Sequence, residues 1–204
     1  MKRLALIPVC LALCLFQAQA KVPVKFSAEW GYDGMFHTAH HFNYICNEGY
    51  RIDDKWQELH YNTNGNILIS AGVEITGKSA ISIESGITGI CRDGWVVPVM
   101  LQYTLAPRGN HQPGIIYRAD AGIGLHLNGP DVNNQRACYI AKASAGYRNA
   151  LNSRFSLDFL GGIRAVLDFP LIKDPDTHEY LSKEKTRRSI ASYCAFCLSV
   201  SFNF

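Results

Sequence analysis

Histidines, acids and cysteines carry most of what this chain offers by way of chemistry. Asp33, His37 and His41 recur at four-residue intervals, a spacing that on a strand puts all three on one face. Each interval spans ~13 Å of strand, so these side chains cannot touch one another. A nucleophile–base pair would therefore need a partner from another element. No serine stands out for that role, and His126, on a later strand, is a candidate neighbour at the rim. His37, His41 and His60 match no tight metal-ligand spacing. Cys194 and Cys197 are spaced as a CxxC motif, but residues i and i+3 of a strand face opposite sides, so they read as small apolar filler. The expectation is no catalytic residue, no metal site, no cofactor, and hence not an enzyme.

A second group is ionic. Lys25, Glu29, Asp33, Glu74, Glu84, Arg118, Asp120, Lys142, Asp158 and Arg164 each lie in a segment whose alternate residues are apolar. Each shares its own face mainly with Gly, Ser, Thr and Ala. Charges in a tight, dry space are costly when unpaired, so these ten are expected to form one paired network.

The elements that must position them are strands. From Ser189 to Phe204, Ile190, Cys194, Phe196, Leu198, Val200, Phe202 and Phe204 alternate with Ala191, Tyr193, Ala195, Cys197, Ser199, Ser201 and Asn203. The same period of two begins near Val24 and recurs at 67–75, 81–88, 95–105, 115–127, 136–148 and 155–169, giving eight strands. The first is expected to carry its pattern weakly on through Phe36, Phe42 and Tyr44, opposite His37, His41 and Asn43. Thr76-Gly77-Lys78-Ser79 reads as a tight hairpin turn, and Ala106 to Gly114 as a longer one. Pro98 cannot donate to a ladder, so a bulge or local break is expected there. Polar stretches at 47–64 and 170–188 read as long loops. No segment calls for a helix.

Residues 1–20 carry Lys2 and Arg3, an apolar run from Leu4 to Phe16, and Ala18-Gln19-Ala20, the layout of a cleavable signal peptide. The remainder, 21–204, reads as one domain. Without Lys2 and Arg3 the formal charge falls from +3 to +1, which argues against a nucleic-acid partner. Five of the seven cysteines remain: Cys46, Cys91, Cys138, Cys194 and Cys197. Cys46 and Cys91 fall at the same predicted ends of their strands, where they could bridge two loops.

Alternation does not say which face meets water. A soluble barrel would turn the oily set inward and carry long charged side chains outside. Here the second set is small residues with acids and bases in similar number, which suits a narrow lumen. Trp95, Tyr103, Tyr139, Tyr147, Phe155 and Phe169 sit near strand ends, as an aromatic girdle requires. The fold expected is all-β: an eight-stranded antiparallel up-and-down transmembrane barrel, with outer-membrane lipid as its partner and a polar lumen filled by side chains.

The signal, the eight amphipathic strands and the closing Ser199-Val200-Ser201-Phe202-Asn203-Phe204 together resemble the small eight-stranded outer-membrane β-barrel proteins of Gram-negative bacteria. That resemblance covers nearly all of residues 21–204. It implies an integral protein of the cell outer membrane in which Phe196, Leu198, Val200, Phe202 and Phe204 form the signal read by the barrel-assembly machinery. It also raises three roles: a structural or surface-interaction barrel acting through loops 47–64 and 170–188, a narrow gated pore, or a lipid A-modifying enzyme.

Overall fold

A computed structural model describes residues 24–59, 61–91, 94–128, 136–152 and 154–204. The stretch expected to be a signal peptide, residues 1–20, and His60 lie outside these. Nine strands form: β1 (Val24–Ile45), β2 (Arg51–Glu58), β3 (Asn62–Thr76), β4 (Ser79–Gly89), β5 (Trp95–Leu105), β6 (Gly114–His126), β7 (Cys138–Ala150), β8 (Ser156–Asp168) and β9 (Thr186–Asn203). Leave out β2 and the other eight make a ring, each antiparallel to the next in chain order, with β1 pairing both β3 and β9. The seam is sealed by reciprocal bonds of 2.9 Å between Phe26 and Phe204, N–H to C=O in each direction. A closed ring leaves no free edge to aggregate. Val24, the 77–78 turn and Phe204 share one end, called lower below.

The period of two decides the two surfaces. Trp30, Leu198 and Ile67 on the outside are 75%, 68% and 66% exposed, whereas Arg148, Glu29 and Asp158 on the inside are 0%, 2% and 0%. Apolar side chains thus face out and ionic ones face in, the reverse of a water-soluble protein.

β1 outruns the barrel. β3 leaves it at Met35↔Asn62, and from Thr38 to Ile45 that vacated edge is taken by β2, with β9 still on the other side. The result is a three-stranded sheet standing above the upper rim. Part of the stretch expected to be a loop at 47–64 is therefore strand. Arg51-Ile52-Asp53-Asp54-Lys55-Trp56-Gln57-Glu58 hides this because both faces of β2 are largely wet, so no alternation marks it. β9 also begins earlier than expected, at Thr186.

Two bulges interrupt the β1–β9 ladder. The partners run Met35↔Ala195 and then His37↔Cys194, so Phe36 is an extra residue, stacked on Phe196 with ring centroids 4.5 Å apart. An extra residue flips every later side chain to the other face. His37 and His41 consequently sit on the face of Cys194 and Ile190, and do not share one with Asp33. Arg187 is the second extra residue, between Asn43↔Arg188 and Tyr44↔Thr186.

Pro98 produces a break without a bulge. β4 and β5 keep one register from Ser79↔Leu105 to Gly89↔Trp95, yet no bridges join Gly86 and Ile87 to Pro98 and Val97. Gly86 has φ +153°, and a Cβ there would lie 2.1 Å from the Ile67 carbonyl oxygen, so the missing bridges coincide with a backbone crossing that only glycine permits.

Candidate functional site: the lumen

The inward faces of the eight strands bring eight of the ten ionic residues into direct or hydrogen-bonded contact with a partner, and they do so from the bottom up. Near the lower end, Asp158 receives two bonds from Arg148, Nε to Oδ1 and Nη2 to Oδ2, both 2.7 Å. Arg118 Nη2 donates to the same Oδ2 at 2.8 Å, and Asn203 Nδ2 donates to it at 2.9 Å. The Arg118 fork reaches on through Nη1 to Glu29 Oε2 at 2.8 Å, and Lys142 Nζ holds the other Glu29 oxygen. Higher up, Arg164 Nη1 pairs with Asp33 Oδ2 at 2.8 Å while Nη2 donates to the Gly89 carbonyl at 2.6 Å. Asn66 Nδ2 also donates to Asp33 Oδ2, at 2.9 Å. Glu84 accepts a 3.1 Å bond from Gln102 Nε2, and Glu74 lies 3.2 Å from His111 Nε2.

Two of the ten stand apart. Asp120 lies directly across the ladder from Lys142, but neither of its oxygens meets a hydrogen-bond donor. Lys25, at the lower mouth, forms no ion pair among the described residues. It borders a cavity of about 250 Å³ that is also lined by Glu74, Asn110, His111, Arg154 and Ser156.

Sequence reasoning missed Arg148. It is fully buried, it anchors Asp158 by a two-pronged bond, and its Nη1 donates to the Asn110 carbonyl at 2.7 Å. The signal was present: Arg148 stands six residues after Lys142 on the same strand, hence on the same face. Adding it brings five cations, Lys25, Arg118, Lys142, Arg148 and Arg164, against six carboxylates, one of which faces His111.

The lumen is not polar throughout, which corrects the expectation drawn from alternation. Leu68, Ile90, Val96, Met100, Cys138, Ile140 and Val166 form a buried apolar cluster in its upper part, with Cys91 and Tyr193 packed against it. Ala106, Ile116 and Leu160 make a smaller one low down. Most of these lie on the inward parity of strands whose outward face is also oily, so counting the oily face alone overlooks them. The ionic network is thereby kept away from bulk water.

Above the rim, the His40 ring stacks between Phe42 and Trp56, with centroids 4.3 Å and 5.3 Å away, and His40 Nε2 bonds Asp54 Oδ2 at 2.8 Å. On the other face, Arg188 Nη1 donates to His41 Nδ1 at 3.0 Å. An arginine can only donate, so the His41 proton sits on Nε2, which donates to Asp53 Oδ1 at 2.8 Å. That bond holds the Asp53 carboxyl below the usual carboxylate range. The 169–185 segment is clasped to the β1–β2 turn by Asp174. Its Oδ2 accepts from Asn47 N at 2.6 Å, and its Oδ1 accepts from Asp176 N and Thr177 N at 3.0 and 3.1 Å. These amide donors hold the Asp174 carboxyl below the usual carboxylate pKa range. Tyr44, Ile172 and Leu181 form an apolar cluster beneath the clasp. Cys46 carries a free thiol, so the bridge to Cys91 considered from the sequence is not formed.

No protein-family model matches the chain, and no curated protein matches it. Among solved structures, the outer membrane protein OprG from Pseudomonas aeruginosa is 7% identical with a TM-score of 0.49, over 91% of this chain and 98% of that one. Neisserial surface protein A is 11% identical with a TM-score of 0.39, over 86% and 96%. The outer membrane protease OmpT from Escherichia coli is 6% identical with a TM-score of 0.44, over 88% and 96%. The eight-stranded ring itself rests on this chain's own ladders.

Proposed function

We propose that this chain is an integral protein of a bacterial outer membrane, a sealed barrel that acts as a scaffold and presents the β1–β2–β9 extension at the cell surface. The observation that carries the reading is the inversion of polarity. A belt of Trp30, Ile67, Ile69, Phe196, Leu198 and their neighbours faces out, and a buried ionic network faces in. In water that arrangement would expose the oily outer surface, whereas in a bilayer the same surface meets lipid. Aromatic rings gather at both ends of the belt. Phe26, Phe155, Phe202 and Phe204 do so below, and Trp95, Tyr139 and Phe169 above. The end with the tight 77–78 turn faces the periplasm on this reading, and the extension faces outward.

The apolar upper cluster is the reason to favour a plug over a pore. An ion entering from above would have to pass the buried apolar side chains of Val96, Met100, Ile140 and Val166, which fill the lumen there. Surface interaction is the remaining task, and the extension offers exposed Tyr50, Trp56, Tyr61 and Tyr180 for it. We propose no catalytic role, and lipid A unchanged by deletion or overexpression of the protein is the expected result. Two measurements test the whole reading. Outer-membrane fractions should contain a band that migrates faster unheated than boiled, as a closed barrel does. Planar bilayers carrying the same material should stay at baseline current. Stable channels would end the plug, and recovery in the detergent-free soluble fraction would end the membrane assignment.

A further inference from the structure

At the upper end of the lumen, His126, Cys138 and Asp168 come together from three consecutive strands, β6, β7 and β8. Their ligand-type atoms all lie within 4.8 Å of one another, and His126 Nε2 stands 3.0 Å from Asp168 Oδ1. We propose that these three residues bind a borderline-soft divalent cation of the Zn2+ type.

The donor set selects that chemistry. One thiolate, one imidazole and one carboxylate is a mixed S, N, O set of the kind Zn2+ accepts, with a fourth position left for water. Mg2+ and Ca2+ ask instead for six or more oxygens. Charge supports the same choice. A dication with one thiolate, one carboxylate and a neutral imidazole sums to zero, which suits a site whose walls include Val96, Ile140 and Val166. The side chains of His126 and Asp168 are only 4% and 5% exposed, and Cys138 is fully buried.

Little has to move. Zn–N and Zn–O bonds of ~2.0–2.2 Å in a tetrahedron put the two donor atoms ~3.3 Å apart, a few tenths more than the 3.0 Å seen here. Cys138 Sγ now donates to the Gly124 carbonyl at 3.5 Å. It fits there because Gly124 has no Cβ, which would lie 2.6 Å from the sulfur. Binding turns the thiol toward the other two ligands. It releases the Cys138 proton to solvent, breaks the His126–Asp168 hydrogen bond, and shifts the His126 proton from Nε2 to Nδ1, so that Nε2 offers its lone pair.

The proposal does not depend on the membrane reading, and its test is run on the intact barrel refolded in detergent. Titration with CoCl2 should give a near-ultraviolet thiolate charge-transfer band with a stoichiometry of one. Visible bands of a tetrahedral ion should accompany it, and ZnCl2 or EDTA should abolish both. One proton should be released per ion bound. Cys138→Ser should lose the thiolate band, whereas Cys194→Ser and Cys197→Ser should keep it. Asp168→Asn should weaken binding by more than the ~10–100-fold that losing a merely supporting partner costs. ZnCl2 should also raise the temperature at which the wild-type barrel opens on a gel, reversibly with EDTA. Absence of a thiolate band in the folded wild type, or its survival in Cys138→Ser, would overturn the site and leave a hydrogen-bonded His126–Asp168 pair beside a bystander thiol. Should Cys138→Ser not fold, the wild-type band and its Zn2+-dependent thermal shift decide the matter together with Asp168→Asn.

Discussion

Two arginines hold most of the lumen's charge together, and they define the predictions that belong to single residues. Asp158 takes bonds from both Arg118 and Arg148, and Glu29 is bridged between Arg118 and Lys142. Removing one partner of a buried pair leaves the other charge uncompensated, at a cost of about 3–5 kcal/mol. Arg118→Met and Arg148→Met should each lower the barrel's stability by that order, read from the midpoint of reversible urea unfolding in detergent. Lys25 has no such partner. Lys25 is only half-buried, so Lys25→Met should be near neutral, within about 0.5 kcal/mol. A large loss from Lys25→Met would mean that the charge at the lower mouth is used after all. Gly146 tests the narrowness of the ring. A Cβ there would meet the Phe159 carbonyl oxygen at 1.9 Å, so Gly146→Ala has to push two strands apart and should cost about 1–3 kcal/mol in the same assay.

Among elements, the upper extension is the part whose shape depends on pH. Asp174 has no exposed surface, yet it lies in a thin loop close to the outer aqueous phase, and its carboxylate is held by three backbone N–H groups. A depressed folded-state pKa means stability that is present above the ordinary carboxylate value of ~3.9 and is lost as pH falls through the folded value. The clasp between the 169–185 segment and the β1–β2 turn should hold from neutral pH down to about 4 and open below it. Limited proteolysis of the barrel at stepped pH would show this as a late onset of cleavage near residues 175–180. In Asp174→Asn, where the charge-assisted bonds are weakened, cleavage should already be rapid at pH 7. Cleavage that is independent of both pH and this substitution would mean that the Tyr44–Ile172–Leu181 cluster alone holds the loop. Phe36 shows a different kind of leverage at this scale. One inserted residue moves His37 and His41 off the lumen's parity, and it places His41 between Asp53 and Arg188.

For the whole molecule, closure is the decisive event. Phe204 supplies both backbone bonds that join the chain's end to β1 at Phe26. Its ring also sits 6.0 Å from Phe26 and 5.8 Å from Phe202. Deleting Phe204 should reduce the amount of heat-modifiable barrel recovered from outer membranes several-fold. Refolding of the same variant in detergent should be affected far less, because most of the β1–β9 ladder remains. Equal losses in both settings would mean that the residue acts through stability alone and not through recognition during assembly.

Much of this architecture was legible in the residues because a strand's period of two is local information. Phe196, Leu198, Val200 and Phe202 alternate with small residues whatever surrounds them, and seven further runs do the same, so eight strands and the oily outer surface followed without any knowledge of contacts. The ten ionic residues were likewise assigned to one face by parity. What parity cannot supply is any property that compares two segments. The Phe36 bulge exists only as a mismatch between β1 and β9, β2 forms only because β3 departs at Met35, and the apolar cluster of Leu68, Val96, Ile140 and Val166 assembles from four strands that are far apart in sequence. The meeting of His126, Cys138 and Asp168 is of the same kind. Residues separated by 12 and 30 positions become neighbours because three strands end level in one register, and register is a product of closing the ring.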